Sequence, residues 1–251
     1  MLYESSNNQG IYSPREPRKN YYYRCVEENF EVLERVWDDR YQNTYGYWRT
    51  HILDVIYDYL DCGNLHLGFA RVKCEDCNKE YLLPFSCKRR AFCPSCHQRR
   101  VVEFGEFLYT EVLKEVSHRQ WVFSIPKRLR CYFMYDRKLL AKLSRCAWKV
   151  LCDYLKSSSG DKDSVPGVVI AVQTFGDFLN FNPHLHVIAT DGCFKGDGDF
   201  IKSVLPQGKD IEKVFQSEGL KMLKKEGKIN QFIIDNMLSW ENTGFNVYCG
   251  E

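Results

Sequence analysis

Between Cys74 and Cys96 the chain carries two C-x2-C pairs, Cys74 with Cys77 and Cys93 with Cys96, separated by fifteen residues. No other feature limits the local fold so tightly. Four thiols at this spacing suit one tetrahedral zinc ion and predict a zinc ribbon over residues 74–96. Two residues between cysteines let a tight turn aim both sulfurs at one ion, and the second pair closes the tetrahedron from a separate knuckle. Zinc favours such soft ligands and imposes no other geometry. So short a segment has little core of its own, so the metal would stabilise it directly. Cys62, His66, Cys87 and His97 lie close by in sequence and leave open a second site or the substitution of one ligand.

A chain of 251 residues with 44% apolar and 27% charged content can bury a real core, as one large domain or two small ones. No cationic start leads into an apolar stretch, and no apolar run approaches the roughly 18 residues needed to span a bilayer. The twelve cysteines therefore read as reduced thiols of a cytoplasmic chain rather than as a disulfide framework. A net charge of +2 does not announce a nucleic-acid partner, but the cations are clustered. The segment CKRRAFCPSCHQRR holds Lys88, Arg89, Arg90, Arg99 and Arg100 with no acid, and HRQWVFSIPKRLRC adds Arg119, Lys127, Arg128 and Arg130. Such runs often only solvate a surface. Interleaving with Phe92, Trp121 and Phe123 around the cysteine pairs favours phosphate binding with base stacking.

Residues 1–20 are polar and read as a flexible arm, followed by a helical zinc-ribbon domain over 21–117. In that domain Val26, Phe30, Leu33 and Trp37 recur at helical steps over 21–40, Ile52, Val55, Ile56 and Tyr59 mark a helix over 47–60, and Val101, Phe104, Leu108 and Val112 mark a third. Residues 118–251 change character: strand-like runs at 120–126, 167–174 and 184–191, a helical run at 136–156, a turn or hairpin tip at 192–200 and helices near 211–224 and 229–239. Lys127, Arg128 and Arg130 fall in what reads as a basic turn after the first strand. The order predicts an α+β fold with a mostly antiparallel sheet.

In NPHLHVIATDG, the strand period of two places His184 and His186 on one face and Leu185, Val187 and Ala189 on the other. Two imidazoles on one rigid strand can chelate a single ion. If residues 167–174 pair back onto 184–191, Gln173 comes near them and offers a neutral oxygen. Two nitrogens and one such oxygen leave positions open for phosphate oxygens and water, which suits magnesium or manganese acting as a Lewis acid. Asp177 and Asp191 lie near in sequence, but acids at turns are explained by backbone hydrogen bonding.

The segments CEDCNKEYLLPFSCKRRAFCPSC, RQWVFSIPKRLR and VVIAVQTFGDFLNFNPHLHVIATDG, in that order, resemble the bacterial rolling-circle insertion-sequence transposases of the His-hydrophobe-His endonuclease superfamily. The resemblance covers about residues 21–250 and implies a zinc-binding domain fused to a ferredoxin-like nuclease core. It implies that His184 and His186 hold the cation that polarises a phosphodiester in single-stranded transposon-end DNA, while a tyrosine attacks to form a 5′-phosphotyrosine link. In the family the tyrosines resemble residues on a helix beyond the segment that here reads WENTGFNVYC. That helix is expected to be missing from a chain that stops at Glu251, or the nucleophile to have been lost; Tyr248, in a strand-like stretch, is the in-chain candidate. The expected setting is the bacterial cytoplasm, at the nucleoid when DNA is bound. Two other readings stay open: a non-catalytic, zinc-dependent DNA-binding module, and an interaction protein whose cations only solubilise it.

Overall fold

The computed structural model describes residues 19–176, 180–203 and 208–250. Residues 1–18 of the arm expected over 1–20, and the acid Asp177, lie outside the described residues. The chain divides into two compact units, Met1–Val112 and Leu113–Glu251.

In the first unit, helix α1 (Tyr21–Arg40) starts where the Asn20 side chain accepts the Tyr22 N–H, satisfying one orphan donor. A short α2 (Gln42–Tyr45) ends at Gly46, whose φ of 84° lies in the left-handed region, and α3 (His51–Leu60) follows. Strands β1 (Phe69–Lys73) and β2 (Glu80–Pro84) form an isolated antiparallel hairpin, with Phe69 opposite Pro84 and Lys73 opposite Glu80. Helix α4 (Pro94–Phe107) begins with proline at its first turn, where the missing N–H costs nothing. The apolar core here is thin: beside the buried Phe30 and Ile56, it is Tyr23, Tyr59, Cys62, Cys93 and Cys96, with Val26, Leu60, Cys87 and Phe92 packed against it.

The second unit is built on a four-stranded sheet of β3 (His118–Ser124), β4 (Val168–Phe175), β5 (Phe181–Thr190) and β8 (Asn246–Cys249). Its spatial order is β4-β5-β3-β8 and every neighbouring pair is antiparallel. Helices α5 (Lys127–Tyr135) and α6 (Lys138–Ser159) connect β3 to β4, and α7 (Gly208–Lys225) and α8 (Gln231–Leu238) lead into β8. This is the split β-α-β arrangement of a ferredoxin-like fold, as the resemblance implied. A small hairpin, β6 (Gly192–Phe194) with β7 (Phe200–Lys202), occupies the segment expected to turn. Gly192 is needed there, because a Cβ would collide with the Ile201 carbonyl. No helix among the described residues is long and apolar enough to cross a membrane.

The sheet is covered on one face. Trp121, Phe123, Leu185, Val187, Ala189 and Val247 alternate inward and are buried with Leu143, Ala147, Phe215 and Leu220 of the helices. The Phe123 and Phe215 rings meet edge to face at 4.9 Å, at the centre of this layer. Replacing Phe215 with alanine is expected to destabilise the second unit by about 3–5 kcal/mol, read as a lowered denaturant midpoint.

Candidate metal centres and basic surroundings

Four cysteines of the first unit converge, Cys62, Cys87, Cys93 and Cys96, with all their sulfurs within 4.8 Å of one another. Cys62 Sγ lies 3.8 Å from Cys96 Sγ, Cys87 Sγ 3.7 Å from Cys96 Sγ, and Cys93 Sγ 3.8 Å from Cys62 Sγ. A tetrahedron of sulfurs about 2.3 Å from a zinc ion has edges of about 3.8 Å. The donor set therefore fits zinc in both chemistry and size. Burial first, and then the neighbouring thiols, pushes Cys93 up to about 11, and burial likewise raises Cys87. A cation supplies the charge that lets such crowded thiols ionise together. The Cys87 N–H points at Cys62 Sγ and the Arg89 N–H at Cys87 Sγ, both at 3.4 Å, so the backbone already favours thiolates.

This corrects the ligand set that spacing predicts. Cys93 and Cys96 are joined by Cys62 and Cys87 rather than by Cys74 and Cys77, which stand exposed where β1 turns into β2. The reason is local: Cys62 leaves the end of α3 and Cys87 follows β2, and the Gly63 N–H bond to the Phe85 carbonyl ties these two segments together. His66 and His97, open as alternatives, are outside the cluster. A C-x5-C-x2-C run from Cys87 to Cys96 is the signal that spacing arguments passed over.

Beside the cluster, Lys88, Arg90, Arg99 and Arg100 line a cavity of about 210 Å³ together with Ser86, Cys96 and Glu103. Four of the five cations in the first acid-free run thus gather at one place. The fifth, Arg89, instead pairs with Asp58 at 2.6 Å. Arg99 bonds Glu103 at 2.6 Å one helical turn along, holding that carboxyl below its usual range, and Arg100 lies over the Phe104 ring at 5.3 Å.

In the second unit, the face of the sheet opposite the helices carries His184 and His186. Directly paired residues of antiparallel strands share a face. One row therefore reads Gln173, His184, Ser124 and Asn246, and the next reads Ala171, His186, Val122 and Tyr248. The two imidazole rings are 4.9 Å apart, within the separation of about 6 Å that two rings bound to one ion permit. His184 Nδ1 is 2.7 Å from the Asn182 carbonyl, which fixes Nδ1 as the donor and leaves Nε2 with its lone pair outward. Burial, and then a charge on His184, lowers His186 below the ordinary imidazole range, favouring the neutral ligand form. The Gln173 Nε2 donates to the Phe175 carbonyl at 3.0 Å, so its Oε1 remains an acceptor. Tyr248 is 61% exposed on this face, two strands from His186.

Lys127, Arg128 and Arg130 do not lie in a turn; they open helix α5, anchored by buried Leu129 and Phe133 four residues apart. Lys127 and Arg128 are exposed, with Arg128 over the Trp240 ring at 5.6 Å and bonded to Asn236 at 3.3 Å. Arg130 is half-buried, its Nε has no partner, and burial lowers its pKa. Asp191 is buried and pairs with Arg119 at 3.3 Å, away from the histidines.

Residues 32–125, which contain the four-thiol cluster, match the transposase zinc-binding domain family, and residues 167–249, which contain the histidine pair, match the family described as putative transposase. A zinc-binding module followed by a transposase module is the pairing found here, and in it the chain is similar to the IS91-type insertion-sequence transposases. Its relatives include a transposase for insertion sequence element IS801 from Pseudomonas savastanoi pv. phaseolicola, 30% identical over 141 residues, or 55% of this chain and 33% of the relative. Another, putative transposase y4qJ of Sinorhizobium fredii, is 24% identical over 140 residues, 55% of this chain and 34% of the relative. The matched stretch thus spans about a third of these relatives. No solved structure matches the chain.

Changing Cys62 or Cys87 to serine is expected to remove one zinc ion per chain and to loosen the first unit, measured by elemental analysis and by protease sensitivity. Changing Cys25, exposed on α1, is expected to leave zinc content unchanged.

Proposed function

We propose that this chain binds single-stranded transposon-end DNA and presents a phosphodiester to a divalent cation, magnesium or manganese, held by His184, His186 and Gln173. The observation that carries this reading is the convergence of two half-buried imidazoles, one with its tautomer fixed, on the face of the sheet opposite the core. An ion with neutral protein ligands keeps its affinity for phosphate oxygens. The cation would stabilise charge developing on those oxygens. The pocket of Lys88, Arg90, Arg99 and Arg100, with Lys127 and Arg128 of α5, supplies the contacts to the DNA backbone, in keeping with the transposase family.

Strand cleavage in this reading is a transesterification. A tyrosine oxygen bonds to phosphorus, the bond to the 3′ oxygen breaks, and that oxygen takes up a proton as the 5′ phosphate stays on the tyrosine. Tyr248 shares the row of His186, two strand spacings or about 10 Å away. It is the in-chain candidate, its hydroxyl able to swing towards a phosphate on the ion. A nucleophile supplied from outside this chain is the alternative, under which these residues form a zinc-dependent DNA-binding and metal-holding part. Residues 21–117 then dock DNA and 118–251 hold the reacting phosphate, in the cytoplasm at the bacterial nucleoid.

The reading is tested by incubating the chain with labelled single-stranded oligonucleotides and manganese and resolving covalent adducts on a denaturing gel. The expected adduct disappears in His186→Ala and in Tyr248→Phe. An adduct that survives Tyr248→Phe but not His186→Ala assigns the nucleophile to another tyrosine, and binding without any adduct supports the non-catalytic part. Affinity for single strands should fall steeply with salt, and Arg99→Ala with Arg100→Ala should flatten the log–log slope by about 0.7 for each lost phosphate contact. Salt-independent binding would contradict the nucleic-acid role altogether.

A further inference from the structure

The cysteine pair left out of the four-thiol cluster is itself shaped for metal. Cys74 and Cys77 sit at the tip of the β1–β2 hairpin, both exposed. The loop is a built turn: the Cys74 N–H bonds the Lys79 carbonyl at 2.9 Å, the Asn78 N–H bonds the Cys74 carbonyl at 3.0 Å, and Asn78 takes a left-handed φ of 57°. This folding brings the Cys77 thiol close to the Cys74 sulfur. Two sulfurs so arranged are half of a tetrathiolate site.

Among the described residues, nothing else in one copy completes it. All twelve cysteines and all six histidines of the chain fall among the described residues. Among those residues, no third thiol, imidazole or carboxylate stands close enough to join Cys74 and Cys77 in a three-ligand group. Cys93 and Cys96, the partners that spacing suggests, are taken by Cys62 and Cys87. Among the described residues the hairpin pairs with no other strand, and it is exposed along most of both strands, so its tip is open to approach. The tip is also electrically balanced, Glu75 and Asp76 against Lys73 and Lys79, so two copies would meet without net repulsion.

We propose that Cys74 and Cys77 bind zinc together with the same two cysteines of a second copy, one ion joining two chains tip to tip. A twofold axis through the ion makes the contact self-complementary and supplies four thiolates to a metal whose structural sites are closed and four-coordinate. The bridge rests on the turn geometry and on the reading of the other four cysteines as a complete site, and is independent of the proposed DNA chemistry.

Zinc stoichiometry separates the possibilities. The full chain, purified with zinc under reducing conditions, is measured for zinc per chain by elemental analysis and for mass by light scattering. The bridge predicts about one and a half ions per chain, one in the cluster and half in the bridge, on a dimer. In Cys74→Ser with Cys77→Ser the count should fall to about one and the dimer should dissociate, with the helical circular dichroism unchanged. Two ions per chain on a monomer would overturn the proposal by closing the second site within one copy. So would one ion per chain in the unaltered protein, an internal Cys74–Cys77 disulfide, or a dimer that survives the double substitution. A count near one half on a dimer would refute the four-thiol cluster, and with it the premise on which the bridge rests.

Discussion

The alternation along β5 is the constraint from which the second unit follows. Leu185, Val187 and Ala189 must face the helices, because with Trp121 and Phe123 they form the floor of the core. A shift of register by one residue would expose all of them. His184 and His186 are thereby committed to the other face, and the pairing of β4 and β3 with β5 decides what stands beside them: Gln173 on one side, Ser124 and Val122 on the other, and Tyr248 one strand further. Hydrophobic burial on one face thus positions a polar constellation on the other at no added cost in order.

The first unit solves a different problem. Its apolar core is little more than a cluster of tyrosines, a phenylalanine and cysteines, which is thin support for the end of α3, the strand β2 and the start of α4. Sulfurs at tetrahedral spacing replace the missing core, since a bound ion fixes three separated segments at one point. The same arrangement sets Arg99 and Arg100 on the first turns of α4, immediately after Cys96, and draws Lys88 and Arg90 from the preceding loop to the same cavity. Zinc would therefore order the basic pocket as well as the fold.

Much of this was legible in the sequence, and the failures have physical causes. Periods of 3.6 and 2 located α1, α6, β3, β4 and β5, because each has a strongly one-sided apolar pattern. Helix α5 was hidden because only Leu129 and Phe133 bury its side while cations crowd its first turn, giving the look of a solvated turn. Strand β5 begins at Phe181, earlier than its apolar run suggests, since Pro183 falls at an irregularity in the pairing between Gln173 and Phe175, where no ladder hydrogen bond is required of it. The ligand set was misassigned because spacing measures the chain between cysteines, whereas the cluster is assembled by tertiary contacts that bring Cys62 to Cys87 across the intervening hairpin. The free Nε2 of His184 depends on a carbonyl two residues away, a detail no sequence pattern carries.

The central claim is that His184 and His186 hold one divalent cation on the face of the sheet opposite the core. Pulsed electron paramagnetic resonance of manganese added to the full chain tests it without requiring turnover. The account predicts nitrogen couplings from directly bound imidazoles, lost in His184→Ala with His186→Ala while the zinc content stays unchanged. Manganese that shows only water couplings, or nitrogen couplings that persist in that double variant, would contradict it.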